Sequence, residues 1–538
     1  MNNHDIDAFS SRRSTMYAPN GVVATSQPLA AEAGIQILRE GGNAFDAAVS
    51  TAATLNVVEP TSTGLGGDVF ALYRTAEGEV GAMRSCGGAP AEATIESVCE
   101  AIAERDGEEP DEIVMPAQGA HTVTVPGTAR GWERTIENLG RLTLREVLSP
   151  AIEYAMGGYP VTEVIASHWR AGEELFTDPH AREAYLLDGA SPRVGETMAL
   201  PNLGESLRTI AEEGADVVYE GWIAEAIVDE VQDKGGLIDH EDLASFEPEF
   251  IDPVSTTYRG AEIYELPPNN QGLIVLEALN ILSELDLKAS ASEIDRTHYA
   301  VEALKRAFHD GHHYITDPDH EEIPSLGSPD WARKRADGIG EQTGTVEIGV
   351  PGANAEDADT VLLTTADAEG NVVSYINSRF SGFGSGLVAG ETGIALQNRG
   401  SSFSLHPEHP NSLQPGKRPF HTLIPGLARL DTDDWAAFGV MGGYMQPQGH
   451  LQVLTNLLDD EMSLQAALDA PRWRYREDGS LAVEARMDSS LQNGLVRWGH
   501  DVRIMTPSGF GGAQIARNNG GTLSGATEPR KDGMATGY

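Results

Sequence analysis

The chain has 538 residues, of which 37 are basic and 82 acidic, so its formal net charge at pH 7 is -45. A surface of this sign repels nucleic acid and anionic membranes, and neither is expected as a partner. The acidic residues are spread along the whole chain, and only 6 lysines stand beside 31 arginines. We interpret this as the halophilic composition of a protein adapted to a salt-rich cytoplasm, where salt screens the self-repulsion.

Cysteine usage and the N-terminus point to the same compartment. The two cysteines, Cys86 and Cys99, are too few for a disulfide framework and too far apart for a CxxC motif, so we expect free thiols. The N-terminal "MNNHDIDAFSSRR" has no apolar core of signal-peptide length, and the run "AAVSTAATLNVV" is too short to span a bilayer. We therefore expect a cytoplasmic protein.

The predicted elements begin with two helices. Ser26 followed by Pro28 marks the first helix, "EGGN" ends it, and "AFDAAVSTAATLNVV" forms the second. We expect both to precede the first strand, which follows the glycine-rich turn of "GLGGDVFALYR". The segment "HTVTVPGTARGW" is predicted to be a strand broken by its Pro-Gly pair, and helical patterns dominate from about Trp132 to Val231.

In the second part of the chain, the predicted secondary structure changes from linker to strand at Thr360. "YRGAEIYELPPNNQG" predicts a short strand and a turn-rich loop, and "RTHYAVEALKRAFHDGHHYI" has the spacing of an amphipathic helix. Residues Ser325 to Asp359 are rich in Gly, Pro, Asp and Glu and resemble an exposed, cleavable linker. From Thr360 the runs "TVLLTTA" and "VVSYIN" flank the turn "DAEGN" and predict a β-hairpin.

Thr360 at this boundary is a candidate nucleophile. An isolated threonine at a strand start is usually a β-branched residue suited to the pleat. Here an acidic linker ends in Asp359 just before a buried strand, as expected if the Asp359-Thr360 bond is cut and Thr360 becomes a new N-terminus. Its freed α-amine, with a reference pKa of roughly 7.7 to 8.0, would then supply the base that its weakly nucleophilic hydroxyl needs.

The motifs as a set resemble those of one family. "GGNAFDAAV", "VPGTARGW", "DTVLLTTADAEGNVVSYINS", "FGSGLVAGETGIALQNRG", "PGKRPFHTLIP" and "GVMGGYMQPQGH" are similar to motifs of the gamma-glutamyltransferases, or glutathione hydrolases, which are N-terminal-nucleophile hydrolases. The likeness covers nearly the whole chain. "QNRG" with "KRPFHT" looks like a subgroup that includes oxamate amidohydrolase.

The resemblance implies an α+β fold, a four-layer αββα sandwich of the N-terminal-nucleophile hydrolase type. It also implies self-cleavage into a large chain, residues 1–359, and a small chain, residues 360–538, which stay associated in one αββα domain. Carried over by position, Thr360 is the nucleophile and Ser378 the second hydroxyl residue that supports it. Gly442 and Gly443 form the oxyanion hole, where glycine lets the backbone approach the developing negative charge.

The substrate-binding positions depart from the typical family pattern. The arginine that usually precedes an "AP" pair is missing from "RSCGGAP", and the nearest one is Arg84. The typical ammonium-binding Asp falls on Ser402, the Gln before it on Arg399, and a Ser-Ser pair on His421 and Thr422. Arg399 is a candidate to replace the carboxylate clamp, because its planar fork binds carboxylates bidentately. A structural ion pair with a nearby acidic residue is an equal alternative.

Neither a metal nor another cofactor is expected. "HDGHHYITDPDH" lacks the HExxH spacing and is interpreted as structural, and "GLGGD" fits neither a P-loop nor a dinucleotide fingerprint.

The sequence therefore predicts a gamma-glutamyltransferase-like amide hydrolase or acyltransferase that acts on a small-molecule amide through an ester on Thr360. The first alternative is an amidohydrolase for oxamate or another short dicarboxylic monoamide. An uncleaved, inactive scaffold or binding protein is the alternative of another class, and a homo-oligomer is compatible with the sequence.

Overall fold

Two seven-stranded antiparallel sheets hold most of the strands. The structure is a computed structural model and describes residues 13–106, 114–285, 291–349, 351 and 360–538. Sheet 1 contains, in spatial order, β1 (Met16–Ala18), β18 (Thr522–Thr527), β17 (Gly512–Asn519), β13 (Asp434–Met441), β12 (Gly426–Asp431), β9 (Ala261–Glu265) and β8 (Val254–Tyr258). Sheet 2 contains β19 (Met534–Gly537), β2 (Gly21–Thr25), β10 (Val361–Asp367), β11 (Val372–Ser378), β3 (Asp68–Arg74), β4 (Val80–Ser85) and β7 (Glu249–Ile251).

Two smaller sheets and the helices complete the described part of the chain. The smaller sheets are β14 (Trp473–Tyr475) with β15 (Leu481–Glu484) and β16 (Val502–Met505), and β5 (Tyr159–Pro160) with β6 (Thr197–Met198). The helices of the first half are α1 (Pro28–Arg39), α2 (Ala44–Val58), α3 (Ile95–Asp106), α4 (Thr128–Leu139), α5 (Leu144–Gly157), α6 (Glu163–Ala171), α7 (Pro179–Tyr185), α8 (Pro201–Glu213), α9 (Asp216–Tyr219), α10 (Trp222–Asp233) and α11 (His240–Ala244). The later helices are α12 (Gly272–Glu284), α13 (Glu293–Tyr314), α14 (Pro329–Ala336), α15 (Met445–Leu458), α16 (Leu464–Asp469) and α17 (Ser489–Arg497). None of the helices in the described ranges is both long and apolar enough to cross a bilayer.

The hydrophobic core is divided among three main clusters. One packs Val361 and Leu363 of β10 among residues of α2, α4, α5 and α8. A second contains Leu362 of the same strand together with residues of both sheets, including Leu427 of β12. Because alternate side chains of a strand point to opposite faces, β10 is buried on both sides, and all seven of its residues are buried. The third cluster joins α12, α13 and α15 to sheet 1 through residues such as Phe438.

The predicted hairpin after Thr360 is confirmed. Strands β10 and β11 pair antiparallel with Val361 opposite Asn377, and Gly370 in the connecting turn has a φ of 110°. Ser374 of β11 donates a 2.8 Å hydrogen bond to the carbonyl of Phe438, so the hairpin is bonded to sheet 1 as well. This hairpin fixes the position of the site described below.

The two predicted N-terminal helices are also confirmed, as α1 and α2, but three expectations were wrong. Strands β1 and β2 precede the helices, and at three and five residues they are too short to give a clear periodicity. The segment before Pro126 is irregular: the backbone of Val125 bonds to Gly87 and Gly88 and accepts the side-chain amide of Gln397, and the segment is not part of a named strand. The linker after residue 325 contains α14, which Ser328 caps through the N–H of Trp331.

The last described part of this linker lies along α13. The imidazoles of His298, His309 and His312 bond to the backbone carbonyls of Gly340, Glu347 and Gly349 at 2.8, 2.6 and 3.0 Å. A carbonyl oxygen can only accept, so the ring nitrogen in each pair carries the proton. One face of α13 therefore holds the backbone of residues 340–349.

Candidate active site

The hydroxyl of Thr360 lies next to a second hydroxyl. Thr360 is fully buried and directly precedes β10, so the hairpin register sets it across from Ser378 at the end of β11. The two side-chain oxygens are 3.3 Å apart, and Thr360 donates. Ser378 also accepts the N–H of Phe380 at 2.9 Å, which fixes its rotamer. Asp359, the other half of the predicted cleavage site, lies outside the described residues.

A buried carboxylate continues this row on the next strand. Asp68 begins β3 and pairs with Ser378, so Thr360, Ser378 and Asp68 lie side by side at one end of sheet 2. Asp68 accepts hydrogen bonds from the N–H of Gly127 and from the side chain of Gln397, each at 3.1 Å. Burial raises the pKa of Asp68 to about 7, and the nearby Arg399 cation opposes the rise.

The predicted oxyanion-hole glycines form the turn between β13 and α15. Gly442 and Gly443 have φ angles of 114° and 54°, a region that side chains other than glycine rarely adopt. In the described part of the chain no backbone carbonyl accepts the N–H of either residue. The turn is held by Gln271, whose amide donates to the carbonyls of Gly443 at 3.0 Å and Thr422 at 2.7 Å.

Arg399 is fully buried beside the same row. Its Nη1 donates to Thr422 Oγ1 at 2.9 Å, its Nε is 4.0 Å from Asp68 Oδ2, and its guanidinium lies 4.4 Å from the centre of the Phe380 ring. Nε and Nη2 have no hydrogen-bond partner among the described residues. Burial lowers the pKa of Arg399 to about 10, opposed by Asp68, so the side chain is charged at neutral pH. Arg399 thus makes the long ion pair that the structural alternative predicts and has two nitrogens without a partner among the described residues, while its role as a carboxylate clamp stays a prediction.

His421 and Thr422 complete the surroundings of Arg399. The N–H of Leu423 donates to His421 Nδ1 at 3.2 Å, which leaves the proton on Nε2 to bond Asp68 at 3.0 Å. Burial and the positive charges of Arg399 and Arg84 hold the pKa of His421 well below its usual value. His421 is therefore a neutral donor to Asp68 and Thr422 an acceptor for Arg399.

The contacts described for Ser402 and Arg84 are with residues other than Thr360, Ser378 and Asp68. Ser402 is buried three residues after Arg399, and its carbonyl accepts the amide of Asn411 at 2.6 Å. The same amide also donates to the carbonyl of Pro351 at 3.1 Å, which ties the linker to this stretch. Arg84 pairs with Glu249 at 2.6 Å and donates to the carbonyl of Pro268, so its charge is already engaged.

Among the described residues, one buried group of side chains has ligand atoms close enough together to hold a metal ion: His298, Glu302 and His500. However, His298 Nδ1 and His500 Nε2 are bonded to each other at 2.8 Å, and Glu302 pairs with the ammonium of Lys305 at 2.5 Å. A cation in contact with the only carboxylate disfavours a second one there. We interpret the group as a structural network.

Two residues of the site were missed at the level of sequence. Asp68 is the last residue of "GLGGD", which was predicted to be a glycine-rich turn before a strand and was not assigned to the site. Gln271, the residue before Gly272 in "ELPPNNQG", lies in a segment predicted to be a turn-rich loop. The signal available for Asp68 was a carboxylate at the first position of a strand whose apolar residues indicate burial. Nothing in the sequence pattern singled out Gln271.

A buried threonine hydroxyl paired with a second hydroxyl is an arrangement suited to nucleophilic acyl chemistry, and the Gly442-Gly443 turn has N–H groups that bond to no backbone carbonyl of the described residues. Residues 30–538 match the family model described as gamma-glutamyltranspeptidase. The chain is 36% identical over 530 residues to the glutathione hydrolase-like YwrD proenzyme of Bacillus subtilis (strain 168), covering 96% of this chain and 98% of the relative. It is 35% identical over 544 residues to the oxamate amidohydrolase proenzyme of Klebsiella pneumoniae subsp. pneumoniae, covering 98% and 100%.

The crystal structure of cephalosporin acylase from Bacillus halodurans is also similar, with a TM-score of 0.91, 43% sequence identity and 98% of both chains covered. This chain therefore belongs to the gamma-glutamyltranspeptidase family and is an enzyme of the N-terminal-nucleophile hydrolase class. The resemblance inferred from the motifs is confirmed.

Proposed function

We propose that this enzyme cuts itself before Thr360 and then hydrolyses amides whose acyl group ends in a carboxylate. The observation that carries the proposal is the buried Thr360-Ser378 hydroxyl pair, with Arg399 close to the adjacent Asp68 and two of the Arg399 nitrogens without a partner among the described residues. The names of the relatives support self-processing, since several are called proenzymes.

Self-cleavage would begin with attack of the Thr360 hydroxyl on the carbonyl carbon of Asp359. The amide nitrogen of Thr360 leaves and takes a proton, so that an ester replaces the peptide bond. Water then hydrolyses the ester and leaves the Asp359 carboxylate and the free amine of Thr360. The products have 359 and 179 residues, or about 38 and 19 kDa by proportion of 57.4 kDa.

Substrate hydrolysis would use the same oxygen. The Thr360 amine accepts the hydroxyl proton as the oxygen attacks the substrate carbonyl, and Ser378 holds the hydroxyl in place. The N–H groups of Gly442 and Gly443 stabilise the tetrahedral oxyanion. The amine then returns the proton to the leaving nitrogen, and water, or an acceptor amine, releases the acyl group from the ester.

Arg399 is proposed as the group that binds the distal carboxylate of the acyl donor. A carboxylate could accept from both Nε and Nη2, which is the bidentate geometry that guanidinium favours. Thr422 would hold the third nitrogen, and His421 would act indirectly through Asp68. Burial of the pair strengthens the attraction relative to water.

An α-ammonium group on the donor would be bound only weakly. Ser402 stands where the typical members have an ammonium-binding Asp, and Asp68 already accepts three hydrogen bonds. Gamma-glutamyl amides and their glutaryl analogues should therefore both be accepted, together with short dicarboxylic monoamides. The relatives include enzymes named for glutathione, oxamate and cephalosporin, a range consistent with a carboxylate as the shared feature.

We also propose that residues 1–359 and 360–538 remain together in one four-layer αββα domain in the cytoplasm. The proposal is supported by a core cluster shared by both sheets and by two clusters that pack helices on the other face of each.

The test is the intact mass of the purified protein in molar KCl, followed by a panel of gamma-glutamyl anilide, glutaryl anilide, glutathione and oxamate. Two chains and hydrolysis of the carboxylate-bearing donors are expected. Thr360→Ala should stay one chain, and Thr364→Ala, the control four residues along the same strand, should be cut. A full-length wild type without activity would instead support the scaffold alternative.

A further inference from the structure

Asp68 shares Arg399 with the proposed substrate carboxylate. Its Oδ2 is 4.0 Å from Arg399 Nε, which is one of the two nitrogens proposed to hold the substrate. Asp68 is also the cross-strand neighbour of Ser378, so it borders the reaction centre. A substrate carboxylate on Arg399 would therefore lie within a few ångströms of a second, fully buried carboxylate.

The charged or titratable side chains that face Asp68 come from different elements: Arg399, His421, Cys86 and Tyr219. Burial holds His421 in its neutral form, and it raises the pKa of the Cys86 thiol to about 12 and that of the Tyr219 hydroxyl above its usual value. Arg399 is thus the single charged group of this set near neutral pH. One cation cannot balance two buried anions.

We propose that Asp68 determines specificity by carrying a proton whenever a carboxylate-bearing acyl group occupies Arg399. The inference rests on the proposed function. With the site empty and the pH above about 7, ionised Asp68 balances Arg399. When a substrate anion binds, Asp68 takes one proton from solvent, and the buried group of three carries no net charge. His421 still donates to Asp68 in either state, because its proton is fixed on Nε2.

The raised pKa of Asp68, about 7, means that this proton is already present below neutral pH and must be taken up above it. Affinity for anionic donors should therefore be constant below pH 7 and fall above it, with a limiting slope of about tenfold per pH unit. The α-amine of Thr360 titrates in a similar range, but as the general base it changes kcat for every donor rather than KM.

The experiment measures KM between pH 6 and 9 for glutaryl anilide and for butyryl anilide, which has no distal carboxylate. In the wild type, KM for the glutaryl donor should rise above pH 7 while KM for the butyryl donor stays level. Asp68→Asn, which cannot carry a negative charge, should make the glutaryl KM independent of pH and lower than that of the wild type at pH 9. A pH-dependent glutaryl KM in this variant would overturn the inference.

A second measurement needs no variant, since Asp68→Asn exchanges an acceptor for a donor and could impair folding. Calorimetric binding of glutarate to the processed wild type, in buffers of different ionisation enthalpy, gives the protons taken up. About one proton at pH 8.5 and nearly none at pH 6 are expected. No uptake at pH 8.5, with glutarate bound, would refute the role of Asp68 and leave the proposed function intact. Failure of the wild type to bind glutarate or hydrolyse any carboxylate donor would instead refute the proposed function.

Discussion

Removal of the Arg399 guanidinium should separate donors that carry a distal carboxylate from those that do not. In the structure two of its nitrogens have no partner among the described residues, and the third is bonded to Thr422. One lost charge-assisted hydrogen bond is worth about 1.5 to 3 kcal/mol, so Arg399→Ala should raise KM for glutaryl anilide roughly 10- to 150-fold. Without the cation, Asp68 becomes a neutral buried acid, so the variant should still fold and cut itself.

The assay is kcat and KM for glutaryl, gamma-glutamyl and butyryl anilides at pH 6.5. The butyryl donor should be almost unaffected by Arg399→Ala, and the wild type should distinguish gamma-glutamyl from glutaryl by less than about tenfold, because Ser402 stands where typical members have an ammonium-binding Asp. Arg84→Ala is the matched control, since that guanidinium is already paired with Glu249. An unchanged KM in Arg399→Ala, with a raised KM in Arg84→Ala, would refute the reasoning and assign the carboxylate to Arg84.

Three further outcomes are expected. Ser378→Ala removes the hydroxyl bonded to Thr360 and should slow self-cleavage about tenfold, as measured on gels over time. Ser374→Ala, on the same strand, should leave the rate unchanged. Equal rates for the two variants would contradict the role of Ser378. His312→Leu removes the donor to the Gly349 carbonyl and should slow self-cleavage a few-fold, while His312→Asn, which can keep a donor at that position, should restore it. With a net charge of -45, the melting temperature should rise with KCl from dilute buffer into the molar range, and a level or falling curve would refute the halophilic interpretation.

Local patterns predicted the parts of the fold that carry strong periodicity or clear turn chemistry. The β10-β11 hairpin was predictable because two apolar runs flank the turn "DAEGN", and the glycine of that turn has a φ of 110° in the structure. Helix α2 was predictable from its capping box, in which Asn43 and Asp46 bond each other's backbone N–H groups. Strand β1 was not predictable, because three residues give no period and its partner β18 is more than 500 residues away in the chain.

The site shows the same division between local and long-range information. The position of Thr360 follows from the switch between linker and strand, and the glycine pair from its motif. The neighbourhood of Arg399 depends on Asp68, His421 and Thr422, which come from distant parts of the chain. Register between β3 and β11 brings Asp68 to Ser378, and no local pattern encodes that register.

The most direct test of the account is the mass of the small chain after acid quenching during turnover of glutaryl anilide. The account predicts a chain of 179 residues that begins at Thr360, with a fraction heavier by one glutaryl group in ester linkage to the Thr360 residue. A small chain that starts at another residue, or an acyl group found on any other side chain, would contradict Thr360 as the nucleophile.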